Sequence, residues 1–387
     1  MHKKNLFLLL TGNILSHIGT GITMLAIPWL LIKKLNATEA YGYLSILAMV
    51  LSILLLPYIG VIVDRFSRKK ILLMVAFVGF IGTSLSVQLP ENSIYTLAGV
   101  YILGQIVYNF QFPTLLAVIQ EIFPQEMYER VNGLMEVQSQ FAMVAAGGVA
   151  GILLDKVSLK TVLIIDASTY LLSIVIFACL QYQKQQTAKK SPHSSVWEGV
   201  FYMRKFPQKF LFLFLSLFPF ITLVGFNYLL PTHIIRVLDG SAHVFGWGEI
   251  VWAFGSITAG ISIPILIYKV HMSKMIMLCF FMFMLCIGVH VFNDAVWVFV
   301  VNVFFMGWSN ASIRVARNTA MMRIVDNEII GRVNTTIFMF ANIIQIILIF
   351  TLTTFVDSVG TEYCFFLLLL ALLASYYILW RNNYRDV

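Results

Sequence analysis

Apolar stretches about as long as a bilayer is thick recur from one end of this sequence to the other, and a soluble core has no use for them. Leu6 to Leu10, Ile71 to Phe80, Leu211 to Leu230, Met275 to Val289 and Phe365 to Leu373 each belong to a stretch near the roughly 20 residues that an α-helix needs to cross the hydrocarbon layer. The residues are apolar at consecutive positions, not alternately, so helices are expected and an outer-membrane strand barrel is not. Composition agrees. Of 387 residues, 59% are hydrophobic and 11% charged, with a mean hydropathy of +0.86. An ordinary soluble domain carries about 25% charged residues. The opening Met1-His2-Lys3-Lys4 has the charge of a signal peptide, yet no small-residue cleavage site follows and the apolar run is too long, so it is read as the first retained helix. The cysteines Cys179, Cys279, Cys286 and Cys364 fall within or at the edge of apolar runs, without metal-ligand spacing, and are expected to be packing residues.

Polar breaks divide the chain into spans at about 5–32, 41–63, 70–89, 93–119, 132–154 and 161–182, then 208–231, 245–268, 274–292, 295–322, 333–356 and 362–380. An even number of spans puts both termini on one side. On that side lie all of the 26 Lys and Arg residues except Lys33, Lys34, Lys156, Lys160 and Arg236, so the termini are expected to be cytoplasmic, in a bacterial inner membrane. The net charge of +8 is then explained by anionic headgroups, with membrane lipids as partners and no nucleic acid.

An internal repeat reinforces the pattern. At a constant offset of 202, Ile122, Glu126, Arg130, Val131, Asn132, Asp155 and Val157 are matched by Ile324, Glu328, Arg332, Val333, Asn334, Asp357 and Val359. Charged residues and Asn are among the matches, which chance likeness of apolar runs does not explain. Six helices thus map onto six. The expected fold is an all-α membrane protein of twelve transmembrane helices in two six-helix bundles related by a pseudo-two-fold axis along the membrane normal. Residues 1–182 would form the N-terminal bundle, 183–207 a central cytoplasmic loop and 208–387 the C-terminal bundle. Within the loop, Val196 to Phe206 can form an amphipathic helix on the membrane surface, with Trp197, Val200 and Phe201 down and Arg204 and Lys205 at the headgroups.

The sharpest local pattern lies between spans two and three: Gly60-Val-Ile-Val-Asp64-Arg65-Phe66-Ser67-Arg68-Lys69-Lys70. It resembles the signature loop of the major facilitator superfamily, with Ser67 in place of the second glycine, so the turn is expected to differ there. The resemblance implies that Asp64 and the basic residues Arg65, Arg68 and Lys69, with Gly60 before them, form a gating loop that latches the cytoplasmic ends of the two halves. A carboxylate at a membrane edge is independently favourable beside a helix N-terminus or an Arg, and such a contact can break and reform. A plain positive-inside anchor would account for Lys69 and Lys70 but not for Asp64. The matching loop of the second half, Tyr268 to Lys274, keeps only basic residues, so a one-sided latch is expected.

Ala26-Ile-Pro28-Trp29, Ile165-Asp166-Ala167-Ser168-Thr169-Tyr170, Trp197-Glu198-Gly199 and Gly331-Arg332-Val333 are similar to the branch of that superfamily with macrolide efflux proteins and siderophore exporters. The chain departs from the drug antiporters in two places. Span four, around Gln105, Tyr108 and Asn109, lacks an Arg, and span five has Gly147 and Gly151 without the usual Pro. That G-x-x-x-G pair suits close helix packing.

Polar residues at membrane depth tend to face an aqueous cavity. Asn13, His17, Gln105, Asn109, Gln138, Gln140 and Asn310, walled by Trp252 and Trp308 and joined by Arg314, are candidates for a substrate cavity suited to a bulky amphipathic molecule. Glu136, His17 and Glu249 are candidates for proton coupling. An equally open reading pairs Glu136 with Arg314 or Arg317 across the bundle, and His17 also suits a satisfied bundle histidine.

The function these features imply is secondary active transport: proton-coupled efflux of a drug, antibiotic or siderophore-like metabolite by rocker-switch alternating access. The chain would act as a monomer, with the proton gradient for energy and no cofactor. An importer or lipid flippase of the same fold remains an alternative. A membrane enzyme would need a catalytic motif such as H-E-x-x-H or a phosphate loop, and a receptor a soluble domain; the sequence offers none of these.

Overall fold

In the computed structural model, residues 2–31, 35, 38–91, 93–153, 157–182, 198–239, 242–267 and 270–382 are described. In order, the helices are α1 (His2–Trp29), α2 (Thr38–Arg65), α3 (Arg68–Ser86), α4 (Ile94–Ile122), α5 (Tyr128–Leu153), α6 (Leu159–Ala178), α7 (Glu198–Lys205), α8 (Pro207–Leu215), α9 (Phe218–Arg236), α10 (Ala242–Leu266), α11 (Met272–Phe292), α12 (Val296–Ile324), α13 (Ile330–Val359) and α14 (Thr361–Arg381). Among the described residues there is no strand. Helices satisfy their own backbone polar groups, as an apolar solvent demands.

Eleven helical stretches are long and apolar enough to cross a membrane. One of them, Pro207–Leu230, is α8 and α9 together. The expected unbroken seventh span is interrupted at Ser216 and Leu217, because Pro219 sits in the first turn of α9 and has no N–H to continue a helix through. The helix missing from the eleven is α5, which has 26 residues but carries Glu129, Arg130 and Glu136 with several amides. It covers the fifth span expected at about 132–154. Side chains such as Phe7, Leu54 and Phe350 point outward, as lipid-facing positions do.

The helices form two compact units. The first comprises residues 1–125, 138–199 and 326–336; the second comprises 126–137, 200–325 and 337–387. The start of α5 therefore belongs to the second unit, and the start of α13 to the first. Inside the first unit α6 packs on α1 and α3, and α4 packs on α2 and α3. Inside the second, α14 packs on α9 and α11, and α12 packs on α10 and α11. The same pairing scheme appears in both, which is what the repeat in the sequence calls for. A core of Ile27, Leu31, Leu44, Leu97, Leu159 and Leu163 fills one end of the first unit.

Three local expectations change. Among the described residues nothing packs on Gly147, where a built Cβ would meet no atom within 4 Å, and the surroundings of Gly151 lie outside them. Close glycine packing is found instead where Gly133 of α5 meets Gly260 of α10, the built Cβ of Gly133 lying 2.2 Å from the Gly260 carbonyl oxygen. The central helix exists as α7; its Gly199 faces α13 with no room for a Cβ and Met203 is buried, so one side of it packs on protein while Phe201, Arg204 and Lys205 stay exposed. Of the cysteines, Cys179 is exposed, at the C-cap of α6. Asp155, Lys156, Trp197, Lys33, Lys34, Tyr268 and Lys269 lie outside the described residues.

Candidate functional site

Asp64, one residue from the end of α2, is the centre of a buried polar cluster in the first unit. Its side chain is 2% exposed. Oδ1 accepts the backbone N–H of Gly331 at 2.7 Å, and Oδ2 accepts the N–H of Arg332 at 2.9 Å and its Nε at 3.0 Å. Gly331 and Arg332 are in the first turn of α13, where backbone N–H groups have no intrahelical acceptor and the helix dipole is positive. The carboxylate thus meets a helix N-terminus and a guanidinium at once. Arg332 reaches two further acceptors, pairing with Glu198 of α7 through Nη1 and donating from Nη2 to the Glu328 carbonyl at 2.9 Å.

Three glycines make this approach possible. A Cβ on Gly60 would lie 2.3 Å from Thr335 Oγ1 and 2.7 Å from Arg332 Cα. One on Gly331 would lie 2.6 Å from Asp64 Oδ1, and one on Gly199 would lie 2.8 Å from the Arg332 carbonyl oxygen. Only residues without a side chain let α2, α7 and the start of α13 close around Arg332. The Gly60 to Lys70 loop, Glu198-Gly199 and Gly331-Arg332, quoted as separate motifs, therefore meet at one place.

The rest of the loop braces its own neighbours. Arg68 is buried and donates from Nη1 to Glu121 at 3.1 Å and to the Ala117 carbonyl at 3.2 Å, both on α4, and it also bonds Asn327. Tyr182 donates to the same Glu121 oxygen at 2.7 Å. Burial and this carboxylate push the Tyr182 hydroxyl up to about 12, so it stays a donor. Lys69 caps the end of α6, with Nζ 2.7 Å from the Ala178 carbonyl and 2.8 Å from that of Leu180. Arg65 is exposed. Ser67, where a glycine was expected, has φ −65°, a conformation open to any residue, so the turn needs no glycine.

The expected cavity residues divide between the two units. In the first unit Asn13 donates to Gln138 at 2.6 Å and accepts from Gln111 at 2.7 Å, a buried amide chain linking α1, α4 and α5. Asn109 donates to Ser52 at 2.7 Å, while Gln105 lies half-buried beside Tyr101 and His17 is half-buried on α1. In the second unit Trp308 donates to Ser262 at 3.2 Å, Asn310 is buried, and the Trp252 backbone packs against Gly307. Gln140 is buried and Glu249 exposed. Glu136 is held by Arg314, whose Nε and Nη2 reach its two oxygens at 2.7 and 2.5 Å. That is the paired arrangement left open above.

Sequence reading missed Gln111, Glu121, Glu129 and the role of Asp166. Asp166 is 1% exposed in the middle of α6, accepts from Thr23 at 2.8 Å, and its Oδ1 has no hydrogen-bond partner among the described residues. For Gln111 and Asp166 the signal was available, a polar residue inside an apolar run; Glu121 and Glu129 stand beside Gln120 and Arg130 in a polar stretch, where the sequence does not mark them as buried.

A sequence profile of the Major Facilitator Superfamily matches residues 9–293. The chain belongs to this superfamily. Among curated relatives of this superfamily member, an MFS-type transporter of Bacillus subtilis (strain 168), YkuC, is 22% identical over 86% of the chain and 81% of its own length. Macrolide efflux protein A of Streptococcus pyogenes is 21% identical over 94% of the chain and 92% of its own length. Solved structures of the same fold include a bacterial homologue of the iron transporter ferroportin in an outward-facing state, at 13% identity, TM-score 0.78, covering 98% of this chain and 99% of that one. The human organic anion transporter MFSD10 matches at 11% identity and TM-score 0.79, covering 97% and 99%. The chain is thus a multi-pass membrane transporter with the major facilitator fold.

Proposed function

We propose that this transporter is a secondary active exporter of a bulky amphipathic small molecule, worked by rocker-switch alternating access between bundles 1–182 and 208–387 and driven by the proton gradient. The observation that carries the switching part is the docking of Asp64 on the first turn of α13. Each of its contacts is a hydrogen bond to an ionised group, strong when made and replaceable by water when the helix end withdraws. In this reading the Asp64 loop and both termini face the cytoplasm of a bacterial cell, in the inner membrane, and the contact forms the cytoplasmic latch of a monomer. Export is supported by the full-length likeness to a macrolide efflux protein.

For the proton, Glu136 is the candidate among the three best placed to couple its charge to motion, because its partner Arg314 is 29% exposed and so reachable. Inverted membrane vesicles should accumulate a radiolabelled member of a panel of amphipathic drugs, antibiotics and siderophores only while the gradient stands, and Glu136→Gln should end this. Uptake that survives an uncoupler would remove the coupling; absence of uptake with every compound of the panel would remove the export reading.

A further inference from the structure

Among its described residues the second unit contains a positive charge that no acid answers. Three arginines lie on α12 near its C-terminal end: Arg314, Arg317 and Arg323. The first turns of α5 supply two carboxylates. Glu136 takes Arg314, and Glu129 takes Arg323. Arg317 forms no ion pair among the described residues, yet it is 3% exposed. Its Nη2 donates to Asn318 Oδ1 at 3.0 Å, its guanidinium lies 5.4 Å from the centre of the Phe338 ring, and its Nε has no partner.

A guanidinium does not discharge by losing its proton, so burial leaves the charge in place. Arg317 sits seven residues inside the end of α12, about 10 Å along the helix axis. An unpaired charge at such a position is strongly unfavourable and points to an absent partner. Arg314 lies three residues away on the same helical face, and its partial exposure leaves a way in.

We infer that Arg317, with Arg314 beside it, binds the acidic group, a carboxylate or phosphate, of the transported molecule. The inference rests on the transport reading and narrows its substrate from amphipathic to amphipathic and anionic. Arg317 offers free donors and an uncompensated charge; the face of Phe338 gives the apolar part of such a molecule a surface to meet. Glu136 shares Arg314 with the incoming anion and so sets how much positive charge the site presents.

The test needs neither gradient nor transport, so its outcome is separable from that of the vesicle assay. Purified protein in nanodiscs of phosphatidylcholine is titrated with benzoate, inorganic phosphate and benzylamine at constant ionic strength, and thermal stabilisation is read. Saturable stabilisation by benzoate or phosphate, and none by benzylamine, is expected. Arg317→Gln should weaken the anion by about tenfold or more and Arg317→Lys by less, while Glu136→Gln should tighten it severalfold by freeing Arg314. If Arg317→Gln does not fold, the Lys and Glu136→Gln variants still decide the matter. Equal affinity in wild type and both Arg317 variants, or no response to either anion, overturns the assignment. Loss of the response when phosphatidylglycerol is added would make a lipid headgroup the occupant and overturn it too.

Discussion

The first turn of α5 and the first turn of α13 are matched by the repeat residue for residue, and they meet their positive ends in opposite ways. In α5 the acid is built in: Glu129, two residues into the helix, is buried and paired with Arg323 of α12. The matching residue in α13 is Gly331, and the acid comes from another helix, Asp64 of α2. The next matched pair diverges as well. Arg130 is exposed and forms no ion pair among the described residues, whereas Arg332 is 8% exposed and held by Asp64 and Glu198. A built-in acid caps a helix permanently, while a borrowed one caps it only while two helices touch. The second arrangement is the one that can switch, and the loop matching Asp64's own, Tyr268 to Lys274, has no acid to lend to α5.

Substitutions at these matched positions should separate the two arrangements. Arg332→Ala leaves the buried carboxylate of Asp64 without its cation and should cost about 3–5 kcal/mol in denaturant unfolding of the purified protein. Gly331→Ala puts a methyl against Asp64 and the Gly60 carbonyl, and about 1–3 kcal/mol of overpacking should appear, with transport falling alongside. Glu129→Gln, which removes the acid that α5 carries for itself, should cost about 1–2 kcal/mol and leave transport rates nearly intact. Glu198→Gln loses a partner that is 39% exposed, worth about 0–1 kcal/mol. Arg130→Ala, the exposed counterpart of Arg332, should stay within about 0.5 kcal/mol of wild type. Equal costs at Arg130 and Arg332 would break the comparison.

Much of the fold was legible because hydrophobic length is a local property. The apolar runs and the polar breaks between them mark the spans directly, α5 included, although α5 is the most polar of them, and the offset of 202 residues ties it to α13. The break between α8 and α9 was also written locally, in Pro219, but an apolar run hides it. What was not legible is convergence. Asp64, Glu198 and Arg332 are far apart in the chain, and nothing in three short motifs says that they share one guanidinium. Of the amides expected at membrane depth, Asn13, Gln138, Gln140 and Asn310 are buried and Gln105 and Asn109 half-buried, and depth alone does not say that Asn13 bonds Gln111 and Gln138. Pairing is decided by tertiary contact, and so is the absence of pairing at Arg317.

The proposed latch requires that Asp64, which bonds the start of α13, lose this contact as the transporter switches. Spin labels at Phe66 and Asp326, both exposed, with the exposed Cys179 replaced, would report the separation of these segments by electron paramagnetic resonance. Wild type should give a dominant narrow short-distance population, and Asp64→Asn should shift it to longer and broader distances while the protein stays folded. Distance distributions unchanged by Asp64→Asn would contradict the account.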